Sequence, residues 1–156
     1  MSYSDPYGLK IECLTQAACD LWNEMHTRVN EGLRSRDERV RIGAQKLRDI
    51  MNDAYNDTSY TYRIEVSDFT DDWGGGKEDE MEDGKGFVVR VDSNPGPEVA
   101  RARWIDLAHE LGGAQGERHG KAHWRGSLAG ENAARRIAGC SLRHFEARTW
   151  LNPGCR

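Results

Sequence analysis

Apolar residues recur at three- and four-residue spacing in two early stretches of the chain. Ile11, Leu14, Ala18, Leu21, Trp22, Met25 and Val29 predict a helix from about Ile11 to Asn30. Val40, Ala44, Leu47, Ile50, Met51 and Ala54 predict a second, which Gly32 separates from the first. Ser35, with Glu38 three residues on, has the spacing of a capping box for it. The period then changes. Tyr60, Tyr62, Ile64 and Val66 alternate with Thr61, Arg63 and Glu65, which is the pattern of a half-buried strand. Phe87-Val-Val-Arg-Val91 predicts a second strand, antiparallel to the first across an acidic, Gly-rich hairpin loop over 70–86.

Beyond the turn Asn94-Pro-Gly-Pro97, Val99, Ala102, Ile105, Leu107, Ala108 and Leu111 predict a third helix, ending at Gly112-Gly113. Ser127 is the expected cap of a last helix from about Leu128 to Gly139. Residues 1–9 read as an extended arm, because Pro6 and Gly8 oppose a helix. The tail from Ser141 is aromatic and basic, with Phe145 and Trp150 expected to pack on the domain. The expectation is a single α+β domain over 1–156, with N-terminal helices, a small antiparallel sheet, a helix carrying the chemistry and a C-terminal helix.

Composition narrows the function classes. The net charge of −4 gives no general attraction to nucleic acid. Arg118, His119, Lys121, His123, Arg125, Arg135 and Arg136 make a local basic stretch without a recognisable nuclease motif. The acids between Asp68 and Asp83 lack the Asp-x-Asp-x-Asp-Gly spacing of a calcium loop and read as a solvated, mobile segment. No apolar run approaches the ~20 residues of a membrane helix, and the start of the chain lacks a signal-peptide core. A soluble protein is expected, cytoplasmic or exported by a non-classical system. Cys13, Cys19, Cys140 and Cys155 form no Cys-x-x-Cys pair, which argues against a zinc ribbon. Reduced thiols are expected, with Cys13 and Cys19 near opposite faces of one helix; the alternative is a bridge from that helix to Cys140 or Cys155.

The candidate chemistry lies at His109-Glu110. A hydrolytic zinc site needs three protein ligands, an open position for water and a base for that water's proton. His109 offers an imidazole from a helix, and Glu110 stands where zinc peptidases place their general base. The full signature His-Glu-x-x-His puts a second histidine four residues on, on the same face, and here that position is Gly113. His119, His123 and Glu131 are the candidates for the remaining ligands to a Zn²⁺ ion. Gly116 and His119 reproduce the later part of the elongated signature His-Glu-x-x-His-x-x-Gly-x-x-His.

Two blocks carry a family resemblance. Leu107-Ala-His-Glu-Leu-Gly-Gly-Ala114 is followed by Glu131-Asn-Ala-Ala-Arg-Arg136 and then Leu142-Arg-His-Phe145. In this order they resemble the zincin-type peptidase domain of bacterial secreted effectors and polymorphic toxins, over roughly the C-terminal two-fifths of the chain. The resemblance implies a zincin-like fold and a zinc-dependent metalloprotease acting as an effector or toxin on a protein substrate. Two positions depart from the family pattern. Gly113 replaces a zinc histidine, and His123-Trp124 stand about where the family has a ligating glutamate. A rearranged site using His109, His123 and either His119 or Glu131 is one expectation. The alternative is a catalytically inactive zincin-like protein that binds a protein partner in a phage- or toxin-related assembly.

Overall fold

The computed structural model describes residues 3–4, 11–68, 76–93, 102–140 and 142. The element order is β1 (Tyr3–Ser4), β2 (Ile11–Cys13), α1 (Gln16–Leu33), α2 (Glu38–Tyr55), β3 (Thr61–Ser67), β4 (Gly76–Glu80), β5 (Gly86–Asp92), α3 (Arg103–Arg118) and α4 (His123–Ala138). The strands form one five-stranded sheet in the order β1-β2-β3-β5-β4. The architecture is α+β, as the hydropathy pattern implies. None of the described helices is long and apolar enough to cross a membrane.

The sheet is mixed rather than antiparallel. β2 and β5 both run parallel to β3, while β4 is antiparallel to β5. The expected pairing of β3 against β5 as a hairpin is therefore corrected. The hairpin is β4–β5, and it inserts β5 between β4 and β3. Burial explains the choice, since Phe87, Val89 and Val91 are all buried and a central position lets β5 satisfy both of its edges. The span expected to be loop thus contains a strand. Lys77, Glu78, Asp79 and Glu80 form an edge strand whose charges obscure its period and protect the edge from further pairing. Its turn places Gly84 at φ 68°.

The start of the first predicted helix is corrected as well. Residues 11–13 are a strand, held by Ile11 opposite Tyr62 and by Arg63 donating to Glu12 at 2.8 Å. A three-residue stretch fits either period, so pairing with β3 decides it. Thr15 caps α1 through the Ala18 amide at 3.2 Å. Asp37, not Ser35, caps α2 through the Arg39 amide at 2.9 Å, and Ser35 instead accepts from the Asp37 amide. Tyr62, Ile64, Phe87, Val89 and Val91 join Met25, Leu47, Met51, Leu107 and Leu111 in one core. On the sheet's other face Arg90 reaches Glu65 at 2.9 Å and Asp79 at 2.6 Å, which ties three strands together.

The thiol expectations change too. Cys13 and Cys19 are free, but they sit on β2 and α1 rather than on one helix. Cys140 is disulfide-bonded, which corrects the expectation of four reduced thiols, and with Cys13 and Cys19 free the alternative bridge from the N-terminal helix is corrected too. Cys155, the turn 94–97 and the tail aromatics Phe145 and Trp150 lie outside the described residues.

The packing of α3 against α4 positions the site. Glycines recur four apart on both helices, at Gly112 and Gly116 on one and Gly126 and Gly130 on the other. A Cβ at Gly112 would collide with the Gly126 carbonyl oxygen, and one at Gly130 with that of Ala108. The two backbones therefore meet almost directly. This corrects both expected boundaries. α3 does not stop at Gly112-Gly113, because those glycines serve helix crossing rather than a left-handed cap. It continues to Arg118, and the left-handed glycine is Gly120, at φ 74°. α4 starts at His123, and Ser127 is buried inside it rather than capping it. Its C-terminal end is the left-handed Gly139.

Candidate metal centre

Two polar stripes face each other across this glycine contact. On α3 the stripe is His109, Gly113 and Glu117, and on α4 it is His123, Ser127, Glu131 and Arg135. Each step is four residues, slightly more than one turn, so each set shares a face. The helices run antiparallel. His109 therefore meets Glu131 at one end of the seam, and Glu117 meets His123 at the other.

At the first end a buried ion pair meets an imidazole. Arg135 Nε donates to Glu131 Oε2 at 2.7 Å, and His109 Nδ1 lies 2.9 Å from Glu131 Oε1. Glu131 is fully buried and Arg135 nearly so. The other ring nitrogen of His109, Nε2, lies 3.8 Å from Glu110 Oε1. Glu110 is buried against β4, where a Cβ at Gly76 would come within 2.6 Å of Glu110 Cγ. The structure thus brings His109, Glu110 and Glu131 together.

The second end is unbalanced. His123 Nδ1 lies 2.9 Å from Glu78 Oε2 and 3.2 Å from Glu117 Oε1. One ligand atom from each of the three lies within 4.8 Å of the other two. Burial pushes the Glu78 carboxyl up to about 8, reinforced by a hydrogen bond shared with Glu117 and by the negative charges of Glu117, Glu110 and Asp79. Crowded carboxylates beside an imidazole are the donor set of a divalent metal site, and this group could hold a metal ion. Zinc ligands at 2.0–2.2 Å stand about 3.3 Å apart in a tetrahedron, and the two distances from His123 Nδ1, 2.9 and 3.2 Å, are already close to that spacing.

Gly113 connects the two ends. An added Cβ there would lie 2.6 Å from Ser127 Oγ and 2.8 Å from His123 Cε1. The His123 ring therefore fills the space that a side chain at 113 would take. Ser127 Oγ stands 3.3 Å from His123 Nε2, which leaves Nδ1 to face the carboxylates. Ser127, His123 and Glu78 also have the order of a nucleophile, base and acid. Ser127 is only 2% exposed, however, and packed against Gly113, so no substrate carbonyl reaches its hydroxyl.

His119 joins neither end. Its Nε2 lies 2.7 Å from Asp53 Oδ2 on α2, beside Gln115, which donates to the same oxygen at 2.9 Å. Sequence reasoning named His109, Glu110, Glu131 and His123 and missed Glu78 and Glu117. Glu117 was within reach of it, because it lies eight residues after His109 and four after Gly113 on one face. Glu78 carries no such signal, since an acidic run hides which of its members turns inward. No protein-family model, curated protein or solved structure matches the chain.

Proposed function

We propose that the protein is a zincin-like metal-dependent peptidase, an effector or toxin domain whose metal site has moved one helical turn along α3. The observation that carries this reading is the His123 ring lying in the space above Gly113, in contact with Glu78 and Glu117. The histidine of the site is thereby supplied from α4, at the place where His-Glu-x-x-His supplies its second histidine from the same helix. Glu78, Glu117 and His123 hold the ion, with Ser127 fixing the ring. Zinc, when bound, supplies Lewis acidity toward a peptide carbonyl and lowers the pKa of water. Glu110 is the carboxylate assigned to accept the water's proton; its charge acts on Glu78, and His109 lies 3.8 Å from it and 2.9 Å from Glu131.

Metal analysis of protein purified without added zinc, with peptide-hydrolysis assays of wild type and Glu110→Gln, tests this reading. It expects about one equivalent of bound zinc, hydrolysis by wild type, and a drop of at least about 100-fold with Glu110→Gln, which keeps the metal. Wild-type protein without metal or hydrolysis overturns it.

One observation favours an inactive interaction module as a second reading. Arg135, Glu131 and His109 satisfy one another without an ion. This reading expects no bound metal and no change in fold stability on adding zinc.

A further inference from the structure

A groove between α2 and α4 lies on the side of α4 away from the metal-centre stripe. Its floor is apolar, formed by Ile50, Leu128, Ala129 and Ala133, and it encloses about 690 Å³. A second cavity of about 870 Å³, beside Gly120 and Lys121, shares Trp124, Arg125 and Ala129 with it. Trp124 is 58% exposed, the sole exposed large hydrophobic side chain among the described residues. A tryptophan in water beside an apolar trough is the usual form of a binding anchor.

The charges around the groove identify its occupant. Lys46, Lys121, Arg125 and Arg136 line the two cavities, and none of them has an ion pair among the described residues. Arg63, Arg90, Arg103, Arg118 and Arg135, by contrast, are all matched to carboxylates. The two carboxylates lining the cavities are already engaged. Asp49 lies 3.7 Å from Arg48, and Asp53 accepts from Gln115 and His119. An acidic protein therefore presents a locally cationic rim around an apolar floor. Single-stranded nucleic acid would want several stacking rings in series, and this surface offers one.

We propose that the α2–α4 groove binds an acidic peptide segment of a protein partner, with an aliphatic or aromatic anchor seated against Trp124 and flanking Asp or Glu residues on the Arg125–Arg136 side. The inference is independent of the metal centre. Rim charges steer and select the partner, while the apolar floor supplies affinity.

Random peptides displayed and selected on the intact protein test the proposal. Enriched sequences carry Asp or Glu beside Leu, Ile, Phe or Trp. A labelled winner binds at least about tenfold more weakly to Trp124→Ala, and to Arg125→Glu/Arg136→Glu, than to wild type. Its affinity falls as salt rises. Trp124 and Arg125 are exposed and Arg136 is half-buried, so wild-type circular dichroism and melting establish that the variants fold. Enriched peptides that are basic or without charge bias overturn the proposal. So do equal binding to Trp124→Ala, displacement by a single-stranded oligonucleotide at lower concentration than by the acidic peptide itself, and failure to enrich any sequence.

Discussion

The two ends of the α3–α4 seam use the same residue types to opposite effect. At the Glu131 end one carboxylate lies between an arginine and an imidazole, wholly out of water. At the Glu78 end two carboxylates share one imidazole and no arginine reaches them among the described residues. The first arrangement is complete as it stands. The second holds excess negative charge, which a proton or a cation must neutralise. The His109-Glu110 pair lies at the complete end, yet the group that could hold an ion is at the other.

The largest expected effect comes from breaking the closed end. Arg135→Met removes the arginine bonded to buried Glu131, and about 3–5 kcal/mol of stability should be lost in urea unfolding. Glu117→Gln at the open end should leave metal-free stability within about 1 kcal/mol of wild type or raise it, because it removes one of two crowded charges. Equal losses in the two variants would erase the distinction between the ends.

Gly113→Ala probes the space shared by the two helices. Its Cβ displaces Ser127 Oγ and the His123 ring, at a cost of about 1–3 kcal/mol. Zinc affinity should fall about 10–100-fold with the misplaced ring, as calorimetric titration would register. Unchanged affinity would mean that His123 is not a ligand.

These residues also mark where the sequence was legible. The apolar stripes of α1, α2 and α4 and the alternation of β3 announce themselves, because they depend on periods within one element. Gly113 reads locally as a gap or a helix end. Its role is visible only when a ring from a helix ten residues downstream enters the space, and no local pattern encodes that. β2 and β4 were missed for a related reason: three residues fit any period, and an acidic edge strand resembles a loop until its partner is known. The stripe His123, Ser127, Glu131, Arg135 was present in the sequence at four-residue spacing. Starting α4 at Ser127 cut it short.

The pH dependence of stability should also separate the seam from the surface. The folded pKa of Glu78 is raised from 4.5 to about 8, so the native state binds more protons than the unfolded chain between these values. Its contribution is intact below about pH 4.5 and is lost as pH rises through 8, in protein kept in chelator. Melting curves of wild type and Glu78→Gln should therefore diverge from low to high pH, the variant gaining. Asp53 and Asp57 behave oppositely. Burial raises each, but hydrogen bonds outweigh it, from Gln115 and His119 on Asp53 and from the Ser59 amide, Arg118 and the Tyr60 amide on Asp57. Both lie below the ordinary carboxylate value, so their stabilisation is lost as pH falls into the acid range. A wild-type-like pH profile in Glu78→Gln would remove the charge imbalance from the account.

The smallest effect is expected in the core. The buried Tyr62 hydroxyl has no hydrogen-bond partner among the described residues. Tyr62→Phe should be neutral or stabilising by up to about 1 kcal/mol in urea. A clear loss would indicate a partner for the hydroxyl.

Zinc titration of three variants by calorimetry tests the central claim, that the metal belongs to the Glu78–Glu117–His123 end. Wild type and His109→Ala should each bind about one equivalent, and His123→Ala should bind none at the same concentrations. Binding lost in His109→Ala and kept in His123→Ala, or absent from wild type, would contradict the account.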